Sequence, residues 1–281
     1  GLFGRASVGY GTSDRNESSL SVNYFKGATK LSVIARAGNT NNTGFGSSEM
    51  IGMPGGVGSS KGGINNPSGL NKYRAAGINY SDFWGKSLEL TGNYFFNHTS
   101  NDNTSQSHRE TFFPDSTVTR AQQSLTGNNN DNHRINFKFT YTIDSLTSFV
   151  YIPNMNFQNT KTFRNDTTEG FASQNSASYK VNDSRSVREN KGDGMNWTNN
   201  LLFRRRFSKR GRTISVNLSS TNNHNNRNGS TVSRTGRYEN NGNIISDSTI
   251  NQINNQKSAT NNYAVTLSYT EPLGRDKVLE L

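Results

Sequence analysis

The residue types that carry most metal chemistry are few and scattered in this chain of 281 residues. It contains no cysteine and four histidines. His98, His108, His133 and His224 lie in predicted loops or at predicted strand ends, without the short spacings that bring metal ligands together. The sequence therefore predicts no metal site.

Acidic residues occur mainly where the chain is expected to turn. Asp14, Asp82, Asp144 and Asp276 occupy such segments, where Asp is favoured because its side chain bonds to the nearby backbone. The sequence shows no paired carboxylates for acid–base chemistry and no nucleophile next to a base. We therefore expect that the protein is not an enzyme and has no catalytic or cofactor-binding residues.

One glycine-rich segment, residues 55–62 (GGVGSSKG), resembles a phosphate-binding loop only superficially. It lacks the Gly-Lys-Ser/Thr ending, and no pattern of a preceding parallel strand and a following helix accompanies it. We interpret it as part of a flexible polar loop.

A basic cluster raises the possibility of nucleic-acid binding, since the net charge is +11 and the pI is about 9.9. However, the cluster spans a short predicted turn, and Arg205 shares strand parity with Phe203 and Phe207. An apolar stem with a charged head suits the edge of a bilayer facing anionic lipid, so we favour that interpretation and expect no nucleic-acid partner. The cluster comprises Arg204, Arg205, Arg206, Lys209, Arg210 and Arg212.

The side chains named above must be positioned by strands in which apolar and polar residues alternate strictly. Residues 134–158 show this alternation most clearly. Ile135, Phe137 and Phe139 fall on one parity, while Asn136 and Lys138 fall on the other. After a tight turn the alternation resumes to Phe157. A period of two over about ten residues marks a half-buried strand, and about 9–11 tilted residues cross a bilayer.

The same pattern continues along the whole chain and predicts an antiparallel meander of about ten strands, with an eleventh beginning at residues 277–281. Short turns alternate with long polar loops, expected at about 12–18, 39–71, 99–133, 158–194 and 221–261. Outer-membrane barrels sort their connections in this way, with the short turns periplasmic and the longer loops extracellular. Pro153 interrupts one strand, where we expect a bulge or kink.

The composition is compatible with this interpretation although only 30% of the residues are hydrophobic and the mean hydropathy is −0.84. In a barrel only every second strand residue meets lipid, so no long apolar run is needed. Disorder of the whole chain is the alternative for such a composition, but regular spacing of the apolar residues disfavours it. The absence of cysteine is only weak evidence of compartment.

Several segments resemble those of outer-membrane β-barrel proteins related to TonB-dependent receptors, in the same order along the chain. The resemblance implies one barrel domain over residues 1–281, an outer-membrane location and a role in nutrient uptake. It also implies outer-membrane lipid as a partner, with a plug domain and a periplasmic energy-coupling partner outside this chain. The segments are 1–5 (GLFGR), 9–12 (GYGT), 22–25 (VNYF), 79–86 (NYSDFWGK), 92–97 (GNYFFN), 133–136 (HRIN), 141–145 (YTIDS), 200–204 (NLLFR) and 269–274 (YTEPLG).

Receptors of this kind close about 22 strands around a plug, so we expect a barrel fragment that has lost its signal peptide and its end. A fragment predicts an open curved sheet, whereas pairing of the first and tenth strands would show a small closed barrel. Two other hypotheses remain: a structural, porin-like or adhesive barrel without energised transport, and a soluble secreted β-rich adhesin.

Polar residues on the parity opposite to the apolar residues are expected to face the lumen. Arg36, Glu89, Lys138, Asn154 and Asn156 belong to this set. They either contact a solute, since lumen residues tune selectivity, or solvate the interior and contact a plug. The sequence does not identify the ligand.

Overall fold

In a computed structural model, which describes residues 1–40, 69–174, 177–274 and 277–281, the chain forms one antiparallel sheet. The sheet has eleven strands, each paired with its neighbours in chain order, so the predicted all-β meander is confirmed. The strands are β1 Leu2–Tyr10, β2 Asn16–Lys26, β3 Thr29–Gly38, β4 Leu70–Trp84, β5 Leu88–Phe113, β6 Ser116–Thr142, β7 Thr147–Gln174, β8 Ala177–Arg206, β9 Thr213–Tyr238, β10 Ile244–Pro272 and β11 Val278–Glu280.

The sheet is open over the described residues. β1 pairs with β2, and β10 pairs with β9 and with the short β11, but β1 and β10 do not pair with each other. This arrangement is the one expected of an open sheet and differs from a small closed barrel. No helix among the described residues is long and apolar enough to cross a membrane.

The turns predicted to be short, which we call the short turns, lie together at one end of the sheet. Connections at the other end are short as well, since two residues join β5 to β6 and five join β9 to β10, so the predicted alternation of short turns and long loops does not hold there. Gly27 (φ 58°), Gly85 (φ 74°) and Gly211 (φ 88°) each adopt the left-handed conformation in one of the short turns. A residue without a Cβ enters that region at little cost, which explains glycine at the three positions. Asp82, expected in a turn, instead lies in β4, which continues through Trp84 so that the turn begins only at Gly85.

The prediction of long loops at 99–133, 158–194 and 221–261 is wrong. These segments are continuations of β5 to β10, which reach 26–30 residues each and form three long hairpins. The expected 12–18 loop is also shorter, because β2 begins at Asn16. The expected loop at 39–71, with the glycine-rich segment, lies mostly outside the described residues.

The polar segments form strands because their backbone groups pair with neighbouring strands over almost the whole length. Asn, Ser and Thr on both faces remove the alternation of polarity, but the ladder itself does not need that alternation. A two-residue turn after Phe113 closes the β5–β6 hairpin and keeps one register from Phe113 to Leu88. We call residues 97–132, 158–194 and 221–262 the hairpin extensions.

Pro153 interrupts a ladder without shifting it. The β6–β7 pairing stops after Asn136–Asn154 and resumes in the same register at Phe139–Tyr151, so the expected bulge is absent. Proline has no N–H to donate to the neighbouring strand, which accounts for the missing pairs. On the other side, Pro153 pairs with Asn199 in an uninterrupted β7–β8 ladder.

Although some apolar residues, such as Ile34, Tyr73 and Phe95, lie on the other face, most of those in β1 to β10 share one face, because residues directly opposite in an antiparallel ladder point to the same side. Those of the shared face are exposed or half-exposed apart from Leu90, since no second layer covers this face in the described residues. We call this set the belt, its side of the sheet the belt face and the other side the polar face. The belt consists of Leu2, Ala6, Val8, Tyr10, Leu20, Val22, Tyr24, Leu31, Val33, Ala35, Ala76, Ile78, Tyr80, Leu88, Leu90, Tyr94, Phe96, Ile135, Phe137, Phe139, Tyr141, Phe149, Tyr151, Met155, Phe157, Trp197, Leu201, Phe203, Ile214, Val216, Leu218, Tyr263, Val265, Leu267 and Tyr269.

Candidate functional site, the polar face of the sheet

The polar face carries a row of amide and hydroxyl side chains that crosses nine strands in register, at the level of the belt on β2 to β8 and just beyond it on β9 and β10. Each member lies directly opposite the next, so the row continues from β2 to β10 without an apolar or charged residue. Its members are Asn23, Ser32, Asn79, Asn93, Asn136, Asn154, Thr198, Thr221 and Asn262.

Neighbours in this row are linked by side-chain hydrogen bonds. The Ser32 hydroxyl donates to Asn23 Oδ1 over 2.7 Å. Asn136 Nδ2 donates to Asn93 Oδ1, also over 2.7 Å. Asparagine has both a donor and an acceptor group, so a row of such residues can satisfy itself and still offer groups to a polar ligand.

The polar face is the more enclosed side of the sheet. Tyr73 is 1% exposed, Asn93 4% and Phe95 8%, and all three lie on this face. By contrast, Phe137 and Tyr141 of the belt are 37% and 45% exposed. Side chains on a concave face crowd together, so this difference indicates that the sheet curves around its polar face.

The lumen-facing residues predicted from the sequence all lie on the polar face but do not form one cluster. Asn154 belongs to the amide row, and Asn156 lies opposite Arg134 and Asn196 in the adjacent row. The others are spread across the sheet. Arg36 pairs with Ala75, Glu89 with Thr140 and Lys138 with Thr91.

In the hairpin extensions, charge is sorted between the two faces of the sheet. The polar face of β5 to β10 carries six arginines, no lysine and a single carboxylate, Asp166. The arginines are Arg109, Arg120, Arg164, Arg188, Arg227 and Arg237. The belt face of the same strands carries the carboxylates Asp102, Glu110, Asp131, Glu169, Asp183, Glu189, Asp193 and Asp247, with the cations Lys161, Lys180, Arg185, Lys191, Arg234 and Lys257.

Charges on the belt face pair with one another. Lys180 Nζ lies 3.1 Å from Glu169 Oε1 and 2.9 Å from Asp183 Oδ2. Arg234 Nη2 lies 2.7 Å from Asp247 Oδ2. Hydrogen bonding from Lys180 lowers the pKa of Asp183 despite partial desolvation, so this carboxylate is ionised at neutral pH.

The arginines of the polar face have little internal compensation. Within the described strands the only ion pair of the six joins Arg164 Nε to Asp166, at 2.8 Å. Desolvation raises the pKa of Asp166, but hydrogen bonds from Ser124 and Arg164 outweigh it and lower the pKa overall. Arg164 and Arg188 are directly opposite each other, although like charges in that position repel.

The basic cluster at the β8–β9 turn is anchored by one glutamate of β10. Lys209 Nζ lies 2.5 Å from Glu271 Oε1. Arg212 donates to both carboxylate oxygens, with Nε 2.6 Å from Oε2 and Nη2 2.9 Å from Oε1. The hydroxyl of Tyr269 donates to Oε2 as well, over 2.7 Å. Arg205 lies on the belt face opposite Ile214, the position predicted for it.

The four histidines lie on the belt face in separate environments. His98 Nδ1 is 2.6 Å from Asp131 Oδ1, and His133 Nδ1 is 2.8 Å from the hydroxyl of Tyr94. The described residues contain no group of three or more potential metal ligands. The sequence does not reveal the sorted arginines, because it predicts loops for the extensions, and strand parity has no meaning in a loop.

Comparison with family models found no match for the chain. None of the curated proteins compared with it is significantly similar.

Proposed function

We propose that the chain forms the wall of an outer-membrane β-barrel similar to those of TonB-dependent receptors, with a role in nutrient uptake. The observation that carries the proposal is the belt, which keeps one face apolar across ten strands while the amide row lies behind it. A soluble sheet would cover such a face with a second layer, whereas lipid covers it in a barrel.

The height of the belt fits a bilayer. On β6 it extends from Ile135 to Tyr141, with Ile143 just beyond the strand. These nine residues span roughly 30 Å along a strand, or about 23 Å perpendicular to a membrane after tilting by about 40°. The apolar band of outer-membrane barrels is about 25 Å tall.

The belt also crosses the sheet obliquely, as strand tilt requires. Ile78 lies at the middle of the belt on β4. The series of residues paired directly across the sheet from Ile78 ends at Asn222 on β9. The belt of β9 is centred on Val216, about six residues nearer the short turns. This drift is roughly 20 Å over five strand spacings of about 4.8 Å, a tilt near 40°.

In this arrangement the polar face lines the lumen and the hairpin extensions stand outside the membrane on the side opposite to the short turns. The extensions would then make the first contact with a ligand, while a plug and an energised periplasmic partner would control its passage. Both of these partners are outside this chain.

Thiol labelling can test the wall, because the chain has no cysteine of its own. Phe139→Cys and Lys138→Cys place a probe on adjacent residues of opposite faces. After reconstitution in vesicles, a fluorophore at residue 139 should be quenched by lipid-attached nitroxide, and one at residue 138 by aqueous iodide. Equal quenching of both positions by both agents would contradict the proposal.

A further inference from the structure

The hairpin extensions contain an arginine track along their polar face, defined by Arg109, Arg120, Arg164, Arg188, Arg227 and Arg237. The residues occupy three levels. Arg109, Arg120 and Arg237 share the row nearest the hairpin tips, Arg164 and Arg188 share a second row, and Arg227 lies in a third row nearer the belt. Successive levels are separated by four to six residues, roughly 13–20 Å.

The other polar-face residues near the arginines are mostly neutral hydrogen-bonding groups. For example, the row of Arg164 and Arg188 also contains Asn103, Thr126 and Thr231. Further towards the belt, Asn101 Nδ2 donates to Asn71 Oδ1 over 2.7 Å on the same face. Amides and hydroxyls exchange hydrogen bonds with ligand hydroxyl groups as readily as with each other.

From this arrangement we propose that the arginine track binds an acidic oligosaccharide, a hydroxyl-rich chain with carboxylate or sulfate groups along its length. The inference rests on the proposed function for the assignment of the polar face to the lumen, and it names the class of ligand. Guanidinium groups match carboxylate and sulfate in a bidentate geometry that lysine cannot reproduce, and the track contains arginine alone.

The distribution of carboxylates indicates an anion site rather than an ordinary charged surface. A strand surface that only contacts solvent would carry charges of both signs, as the belt face of the same hairpins does. On the polar face one carboxylate accompanies six arginines, so the site retains positive charge for an anion. Repulsion between Arg164 and Arg188, which lie directly opposite, is relieved when an oxyanion binds between them.

A matched pair of double variants can test the track. Arg188→Gln with Arg227→Gln removes two positive charges from the polar face. Lys161→Gln with Lys191→Gln removes two from the belt face, where these lysines also lie directly opposite each other. Titration calorimetry of the full chain in detergent would use oligogalacturonate, heparin oligosaccharides and neutral dextran as probes.

We expect at least one anionic probe to bind, with a Kd that rises about tenfold or more in the arginine variant and changes less than about twofold in the lysine variant. Carboxylate-only or sulfate-only binding would identify the anion. Three results would overturn the inference: no binding of either anionic probe, equal binding of dextran, or equal losses in the two double variants.

Two further measurements keep the result interpretable. Arg188→Lys with Arg227→Lys keeps the charge but loses the bidentate geometry, so its affinity should lie between wild type and the glutamine variant. Urea midpoints of all variants would reveal any loss of folding. If the quenching test fails but arginine-dependent binding persists, the membrane-barrel proposal is wrong and the ligand site is supported. If quenching is as expected but no arginine-dependent binding is found, the barrel proposal is supported and the ligand proposal is wrong.

Discussion

The same six strands, β5 to β10, pass through two regions that differ in composition but not in backbone structure. Near the short turns, one face is the belt and the other is mainly polar. In the hairpin extensions, both faces are polar, but the charges of the polar face are almost all arginines whereas the belt face carries both signs. Backbone pairing continues through both regions.

Strand formation and an alternating sequence pattern therefore have different causes in this molecule. Period-two hydrophobicity records that the two faces meet different media, lipid or core on one side and water on the other. Where both faces meet water, the ladder persists but the pattern disappears. A polar segment between two alternating segments is therefore ambiguous between a loop and a continued hairpin.

Arginine substitutions on β6 should show the largest difference between the belt and the hairpin extensions. Phe139 and Leu125 share the belt face of β6, but Phe139 lies in the belt and Leu125 in the extension, where it is 43% exposed. Phe139→Arg should lower the free energy of unfolding in vesicles by about 2–4 kcal/mol, because it places a charge in the bilayer. Leu125→Arg should cost less than about 0.5 kcal/mol.

Urea titration of both variants in the same lipid gives the two values, with Lys138→Gln as a control on the polar face beside Phe139. That control should cost little, because its side chain faces water in the lumen. Equal costs for Phe139→Arg and Leu125→Arg would show that the belt and the extensions share one environment, contrary to the comparison.

The predictable part of this fold follows from the belt. Strand order, strand parity and the positions of the short turns all depend on residues such as Phe137 and Tyr151, whose alternation is visible in the sequence. The ends of β5 to β10 in the hairpin extensions cannot be predicted in this way. Asn, Ser and Thr carry no periodic signal there, and they pair through backbone groups that every residue has.

The candidate site shows the same division. Asn154 and Asn156 could be placed on the polar face because they alternate with belt residues. Arg164 and Arg188 could not, because their orientation depends on an unbroken strand of seven to nine residues from the nearest belt residue, within segments that carry no periodic signal. The pairing of Lys209 and Arg212 with Glu271 joins residues about 60 positions apart, and only the β9–β10 register brings them together.

A second, smaller contrast concerns packing on the polar face. Phe95 is 8% exposed and covers Gly77, where an added Cβ would lie 2.4 Å from the Phe95 ring; Phe113, at a hairpin tip, is 54% exposed. Phe95→Ala should lower the free energy of unfolding by about 2 kcal/mol, below the usual cost in a two-layer core. Phe113→Ala should cost less than about 0.5 kcal/mol.

Thermal or urea unfolding of the two variants gives the two losses of stability, which can be compared directly because both substitutions remove the same atoms. A loss at Phe113 as large as at Phe95 would mean that the tips are packed as tightly as the belt region. Gly77→Ala supplies an independent check. It should also destabilise the chain, because the Phe95 ring must move to make room for the new methyl group.

The smallest expected effect lies at the turn end of the sheet, where Glu271 joins β10 to the β8–β9 turn. Hydrogen bonds from Arg212, Lys209 and Tyr269 hold the pKa of this carboxyl well below its ordinary range. A lowered pKa means that the contact contributes stability above the ordinary carboxyl range and that this stability is lost as the pH falls through the folded pKa.

Wild type should therefore lose stability in acid by slightly more than Glu271→Gln, which lacks the titrating group. Urea midpoints measured from pH 7 down to pH 3 give the difference, which should be small because the two basic partners, Lys209 and Arg212, are exposed to solvent. Parallel pH profiles for the two proteins would mean that this ion pair adds nothing to the folded state and that the turn is held by its backbone pairing alone.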